Sequence, residues 1–223
     1  MLIDSKKKAF SLAEVLIALV IIGIVVAITI PALAHDTQDK QFRAKWVKLM
    51  STLIQGTVRL QTANGGQLWD MTTSSNMMEE YKNYLILIKE VNSADSLFLD
   101  STLYRCYKGS PATCTAYPNA PAGILSDGSY VVFKSENNCS ASESGLSSIC
   151  GSFIVDVNGV SPPNMWGKDL FQAWVVYSQT KGYQVFPVGS NGDGYTCQAG
   201  SEEDSTSLGC STYSLLHVEM PNT

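Results

Sequence analysis

The chain has 223 residues, of which 45% are hydrophobic and 16% charged, and its formal net charge is −5. This length suits one membrane segment together with one ordinary domain. The acidic balance argues against a nucleic-acid-binding surface, so we predict no nucleic-acid partner.

The first element in chain order is a long uncharged segment behind a basic cluster. Lys6, Lys7 and Lys8 precede it, and Glu14 is followed by twenty uncharged residues, Val15 to Ala34. At 1.5 Å per helical residue, that stretch is long enough to cross a bilayer. The lysines predict a cytoplasmic N-terminus and export of everything after the segment. A carboxylate at membrane depth is costly and usually has a function, so Glu14 is a candidate site residue.

The apolar pattern continues as an amphipathic helix beyond the membrane segment. Apolar side chains recur at helical spacing, and the Asn64-Gly65-Gly66 sequence then predicts a helix stop. We predict one helix from about Phe10 to Thr62. Its first half would lie in lipid or in a helix bundle, and its second half would pack on a globular domain. The predicted apolar stripe comprises Phe42, Trp46, Leu49, Met50, Leu53, Ile54 and Val58.

The stretch KKKAFSLAEVLIALVIIGIVVAITIP resembles the N-terminus of type IV pilins and of the pseudopilins of type II secretion systems. In that family a prepilin peptidase removes a short basic leader before a phenylalanine, which is then N-methylated. The resemblance implies cleavage between Ala9 and Phe10 and methylation of Phe10, with Ala9 standing where the family usually has glycine. Glu14 occupies the position of the family's glutamate. Gly23 and Pro31 occupy its helix-loosening glycine and proline positions.

The resemblance also implies a role for the lone carboxylate. Cleavage would give Phe10 a free α-amine, and in an assembled filament the Glu14 carboxylate of one subunit could meet that amine on a neighbour. Each charge would offset the desolvation of the other, and the pairing would set the axial register of the subunits.

The function implied by the resemblance is structural. The chain would be a subunit of a type IV pilus or of a type II secretion pseudopilus, held in the bacterial inner membrane until it polymerises at the cell surface or in the periplasm. Implied partners are copies of the chain or sibling pilins, a prepilin peptidase, and an inner-membrane assembly platform with a cytoplasmic ATPase.

The predicted fold class is α+β and pilin-like, with a long N-terminal helix packed on a small antiparallel sheet. Residues 1–9 would be the leader and 10–34 the membrane-spanning or filament-core half of the helix. Residues 35–64 would be its amphipathic half. Residues 65–223 would form an extracytoplasmic, disulfide-containing domain.

Two other interpretations remain open for the N-terminal segment. Ala32-Leu33-Ala34 matches an A-x-A signal-peptidase site, and cleavage after Ala34 would release a secreted protein that begins at His35. The segment could also serve as a plain single-pass anchor for a disulfide-rich binding protein. For Glu14 itself, the alternative to a pairing is that its side chain only reaches toward the headgroups.

The exported part begins with a predicted second helix at about 77–90, capped by Asn76 and Glu79, and continues with short β-rich runs. A hairpin is predicted at Asp127-Gly128, and short turns between successive runs favour an antiparallel sheet. Residues 189–211 are predicted to be loop. The predicted strands are Ile124–Leu125, Tyr130–Lys134, Ser152–Val157, Ala173–Ser178 and Tyr183–Val188.

All six cysteines lie in the exported part, and an even number outside the cytoplasm predicts three disulfides. Fifteen pairings are possible, and we favour pairing between sequence neighbours, 106/114, 139/150 and 197/210. A zinc site is the alternative, although the chain has no CxxC sequence and only two histidines. The cysteines are Cys106, Cys114, Cys139, Cys150, Cys197 and Cys210.

No catalytic motif is found, and we predict that the protein is not an enzyme and needs no catalytic cofactor. One stretch suggests a ligand. Asp156 and Asn158 in a D-x-N-G sequence, followed by Asp169, resemble the front of an oxygen-rich calcium loop. Some pseudopilins of the family bind calcium in a comparable loop, which adds weight to this hypothesis. The alternative is a strand-ending turn whose side chains bond the local backbone.

Overall fold

A computed structural model describes residues 11–68, 74–92, 120–143, 146–159, 161–162, 166–189 and 210–215. The chain divides into two compact units, Met1–Gln41 and Phe42–Thr223. The long N-terminal helix α1, Leu12–Ala63, begins in the first unit and ends in the second, whereas the second helix and the sheet lie in the second unit.

Helix α1 spans Leu12–Ala63, a total of 52 residues, and its backbone stays helical through Pro31. Its end uses the predicted glycines. Gly65 and Gly66 take φ angles of 62° and 99°, and the Gly66 amide donates to the Gln61 carbonyl at 2.8 Å. These left-handed conformations strain any side chain with a Cβ, so glycine is the residue that allows the turn. The prediction of one long helix with this stop is confirmed.

In the first unit, Leu12–Ile30 forms an apolar helical stretch of 19 residues that is long and apolar enough to cross a membrane. Its side chains are exposed throughout. An apolar helix with no buried face must find another apolar environment, either lipid or further helices.

In the second unit, the buried face of α1 follows the predicted stripe at first and then departs from it. Ile54 and Val58 were predicted to be buried but are 43% and 55% exposed, whereas Thr57 and Leu60 are buried. A helix advances 3.6 residues per turn, so the face that contains Leu53 continues through positions 57 and 60. The prediction is therefore wrong for Ile54 and Val58. The buried apolar residues of this face are Phe42, Trp46, Leu49, Met50, Leu53 and Leu60.

The predicted second helix is shorter than expected. Helix α2 spans Ser74–Tyr81, starting before the predicted cap at Asn76, and residues 87–90 belong to a strand instead. The amides of Tyr84 and Leu85 both donate to the Tyr81 carbonyl at 2.9 Å, which closes the last turn. Pairing with a neighbouring strand then outweighs the helical pattern of the following residues.

Among the described residues, seven strands form one sheet, and every pair of neighbouring strands in it is antiparallel. The order is β1-β2-β3-β5-β6-β7, with β4 attached to β5 beside that path. The predicted Asp127-Gly128 hairpin joins β2 to β3 and is confirmed, with Gly128 at φ 83°. The strands are β1 Leu87–Val91, β2 Ala122–Leu125, β3 Tyr130–Ser135, β4 Ala141–Glu143, β5 Leu146–Asp156, β6 Leu170–Ser178 and β7 Gly182–Pro187.

The main core lies between the sheet and the helices. Trp46 stacks on Phe171 of β6 with ring centroids 4.9 Å apart, and its indole N–H donates to the Ser211 carbonyl at 2.9 Å. Ser211 lies in a short helix, α3, at Cys210–Leu215, whose first two residues belong to the stretch predicted to be loop. Tyr81 of α2 meets Phe153 of β5 edge to face at 4.9 Å. The α+β prediction, with helices followed by an antiparallel sheet, is confirmed.

Candidate functional site

The first turn of α1 holds Glu14 through a reciprocal capping box. The Ser11 amide donates to Glu14 Oε2 at 2.8 Å, and the Ser11 hydroxyl donates to the same oxygen at 2.9 Å. The Glu14 amide in turn lies 3.2 Å from the Ser11 hydroxyl oxygen, to which it donates. Ser11 is a residue that the sequence reasoning missed, although its S-x-x-E spacing is the ordinary signature of such a box.

The other predicted residues of this segment are placed less fully. Ala9 and Phe10 lie outside the described residues, so a pairing of Phe10 with Glu14 stays a prediction. Gly23 lies in α1 with no atom within 4 Å of an added Cβ, which leaves room for close approach of another chain. Pro31 also lies within α1.

One predicted disulfide is present. Cys139 bonds to Cys150, which confirms that pairing. Cys210 is also disulfide-bonded, and no cysteine of the described part is free. The remaining candidates, Cys106, Cys114 and Cys197, lie outside the described residues. Oxidised cysteines in this part of the chain argue against the zinc alternative there.

The second candidate site follows β5. Asp156 and Asp169 are fully buried, and the Val157 amide donates to the Asp169 carbonyl at 2.9 Å, which holds the two ends of the loop together. The Asn158 amide donates to Asp156 Oδ1 at 3.1 Å. Two buried oxygens, Asp156 Oδ2 and Asn158 Oδ1, have no hydrogen-bond partner in the described part of the chain.

The electrostatics of this loop are unusual for a simple turn. Burial raises the pKa of Asp156, and the neighbouring Asp169 carboxylate raises it further, to about 8. Backbone N–H groups of Asn158 and Gly159 and the charge of Lys45 act in the opposite direction. The Lys45 ammonium donates to the Val157 carbonyl at 2.9 Å, so one cation already lies near the two carboxylates.

The side chains of this loop can be compared with the ligands that a metal ion needs. Among the described residues, no group of three or more His, Cys, Asp or Glu side chains could hold a metal. A cation at the loop would therefore rely on two carboxylates, the Asn158 amide oxygen, and backbone or water oxygens. Oxygen donors of this kind suit calcium, and an unpaired buried oxygen is the feature that such a ligand would satisfy.

Comparison with known proteins bears on the N-terminal segment. The family model described as the prokaryotic N-terminal methylation motif matches residues 4–30. The chain carries a pilin-type methylation motif. No curated protein and no solved structure matches the chain.

The methylation motif is the hallmark of type IV pilins and pseudopilins. Together with the apolar helix, it indicates a membrane-anchored, pilin-like protein that is cleaved as a prepilin. It also points to a structural rather than an enzymatic role, with other pilins and a prepilin peptidase as the class of partners. The motif covers the Ser11–Glu14 box, so the only carboxylate of the apolar stretch lies inside it.

Proposed function

We propose that the chain is a filament subunit, a pilin of a type IV pilus or a pseudopilin of a type II secretion system. Before assembly it is anchored in the bacterial inner membrane, with its N-terminus in the cytoplasm and its sheet domain outside. The single observation that carries the proposal is the methylation motif on a fully exposed apolar helix that contains one carboxylate. Its implied partners are sibling subunits, a prepilin peptidase and an ATP-driven assembly platform.

Burial of the exposed apolar helix against other subunits would drive polymerisation, and pairing of Glu14 would set the axial register of the subunits. After cleavage before Phe10, each subunit would carry a new α-amine close to its own Glu14. In a bundle of such helices water is excluded, so a carboxylate and an amine of neighbouring subunits are stable only when they pair. Loss of one partner leaves the other buried and uncompensated, at a cost of roughly 3–5 kcal/mol.

Substitution of Glu14 tests this function. We expect the mature wild-type subunit to begin at Phe10, as read by N-terminal sequencing of membrane material. Glu14→Ala and Glu14→Gln should still be inserted and cleaved, because removal of a charge eases insertion of an apolar segment. Both should assemble poorly, because the neighbour's amine would be buried without a partner. The measurement is filament yield in the sheared surface and periplasmic fractions of cells without the wild-type copy.

Glu90→Gln is the matched control, since it removes an exposed carboxylate from β1 of the sheet domain. Surface charges of this kind contribute little, so its filaments should form at wild-type yield. Wild-type filaments from Glu14→Ala would contradict the pairing. A mature protein that begins at His35 would support the secreted alternative.

We further propose that the loop after β5 binds a divalent cation, with calcium as the ion that its oxygen donors suit. Asp156, Asn158 and Asp169 would be the side-chain ligands. The two unpaired buried oxygens favour this function over a plain turn, because a turn that served only the backbone would leave both atoms buried and unsatisfied. When bound, the ion would neutralise the repulsion between the two buried carboxylates.

Thermal unfolding of the purified full chain in detergent tests the cation site. Calcium should raise the melting temperature of the wild type relative to EDTA, since a ligand at a hundred times its Kd stabilises by about 2.7 kcal/mol. Asp156→Asn and Asp169→Asn should abolish the shift. Asp127→Asn, at an exposed aspartate in the β2–β3 turn, should retain it. An unchanged wild-type melting temperature in calcium would refute the site, and an equal shift with magnesium would refute the choice of ion.

A further inference from the structure

Only one oxygen of the Glu14 carboxylate is engaged in the first turn of α1. Both donors of Ser11, its amide and its hydroxyl, reach Oε2, at 2.8 and 2.9 Å. In the described part of the chain, Oε1 accepts no hydrogen bond. The carboxylate is therefore held through one oxygen, and the other is left for a partner outside the described residues.

This arrangement matters because Glu14 lies in an apolar stretch. A glutamate side chain has several rotatable bonds, and its freedom must be lost before its carboxylate can pair with a fixed amine. The Ser11 donors remove part of that freedom within the subunit. They also satisfy lone pairs that would otherwise meet only hydrocarbon. Both effects act on the subunit before any neighbour arrives, which is preorganisation.

We propose that Ser11 is a positioning residue for assembly: its hydroxyl and amide hold Glu14 Oε2 so that Oε1 is presented to the neighbour's α-amine. The inference rests on the proposed filament function and deepens it. Ser11 has no contact with the amine in this scheme and acts only through Glu14.

The Ser11 hydroxyl also has a purely structural role. It accepts a hydrogen bond from the Glu14 amide and so caps the helix. The two uses can be separated by substitution. Glycine at an N-cap weakens the helix far less than alanine does, yet it has no hydroxyl to donate to the carboxylate. Threonine keeps both the cap and the donor. Alanine removes both.

The experiment compares filament yield for the full chain with Ser11→Thr, Ser11→Gly and Ser11→Ala. Thr29→Val is the matched control, since it removes a hydroxyl that donates to the Val25 carbonyl in the same apolar helix, away from Glu14. We expect Ser11→Thr and Thr29→Val near wild-type yield. Ser11→Gly and Ser11→Ala should both fall about tenfold, as expected for a lost hydrogen bond to a charged group. Cleaved, membrane-held subunit should stay at wild-type levels.

The outcomes separate the roles. Wild-type yield from Ser11→Gly with low yield from Ser11→Ala would reduce Ser11 to a helix cap and overturn the inference. Wild-type yield from both would overturn it as well, and so would a loss of leader cleavage in Ser11→Gly, which would assign the hydroxyl to the peptidase. The filament function fails separately, when the wild-type chain itself yields no filaments. The Glu14 pairing fails when Glu14→Gln gives the wild-type yield, and it survives when Glu14→Gln is deficient, whatever the Ser11 variants do.

Discussion

At the scale of single residues, two aspartates of the sheet domain have pKa values displaced in opposite directions. Burial and the Asp169 carboxylate raise the pKa of Asp156 to about 8. Burial also acts to raise the pKa of Asp127, but hydrogen bonds from Ser129 and the charge of Lys48 outweigh it and leave that pKa lowered. The two carboxyls therefore contribute to stability in different pH ranges.

The pH dependence of unfolding follows from Asp156. Its folded pKa of about 8 exceeds the ordinary value of 3.8, so between these pH values the folded state holds the extra proton. The stability from this group is complete below pH ~4 and is lost as the pH rises through about 8. In EDTA, the free energy of unfolding should fall by an amount on the order of a few kcal/mol over that range. Urea titrations of the full chain in detergent measure it.

Asp156→Asn should flatten this dependence, because an amide does not titrate. Asp127→Asn serves as a control of opposite sign. Its carboxylate contributes above pH ~4 and loses that contribution as the pH falls through its lowered folded value, so this variant should change only the acid limb. A wild-type free energy that rises between pH 4 and 8 would show that Asp156 is ionised in the folded protein.

Residues differ in how far the sequence reveals them. The position of Glu14 was read from its isolation among apolar residues, and Ser11 was readable from its spacing to Glu14 but was overlooked. The unpaired oxygens of Asp156 and Asn158 were not predictable. Their burial depends on the register of β5 against β3 and β6, which no local pattern specifies.

At the scale of elements, strong local patterns were the reliable ones. Helix α1 was predicted to within two residues at each end because apolar composition and a glycine stop agree. The region 77–90 failed because its helical pattern and its strand pairing compete. Lys89 and Glu90 pair with Ile124 and Gly123 of β2, a contact made across a long stretch of sequence.

The Cys139–Cys150 disulfide ties the short turn before β4 to the middle of β5. Replacement of both cysteines by alanine should lower the free energy of unfolding by about 3 kcal/mol, because the reduced unfolded chain regains the entropy of an open loop. Urea unfolding of the full chain under oxidising conditions measures the change. Ser147→Ala, at an exposed position of β5, is the control and should leave stability within about 0.5 kcal/mol of wild type.

An alanine double variant as stable as the wild type would mean that the fold already holds this loop closed without the bond. In that case the Cys139–Cys150 bond would still form, but it would not contribute to the free energy of unfolding.

At the scale of the whole molecule, the α+β class was predictable because an apolar helix is followed by short runs with short turns. The methylation motif occupies residues 4–30, so the resemblance could describe the N-terminus and its processing. It could not describe the sheet domain. The order of its strands and the branch of β4 from β5 arise from packing across the domain, beyond the reach of local sequence patterns.

The order of the strands in the sheet bears on the order in which contacts form during folding. Apart from the branch at β4, described strands that are neighbours in the sheet follow one another along the chain, so most pairings are local and should form quickly during folding. Trp46 is different, because Ser211, whose carbonyl accepts its indole N–H, lies 165 residues later in the chain. This contact can therefore form only after Ser211 has been synthesised, later than the stacking of Trp46 on Phe171. Until this contact forms, part of the apolar face of α1 lacks its final cover, and the folding chain is more open to aggregation in that interval.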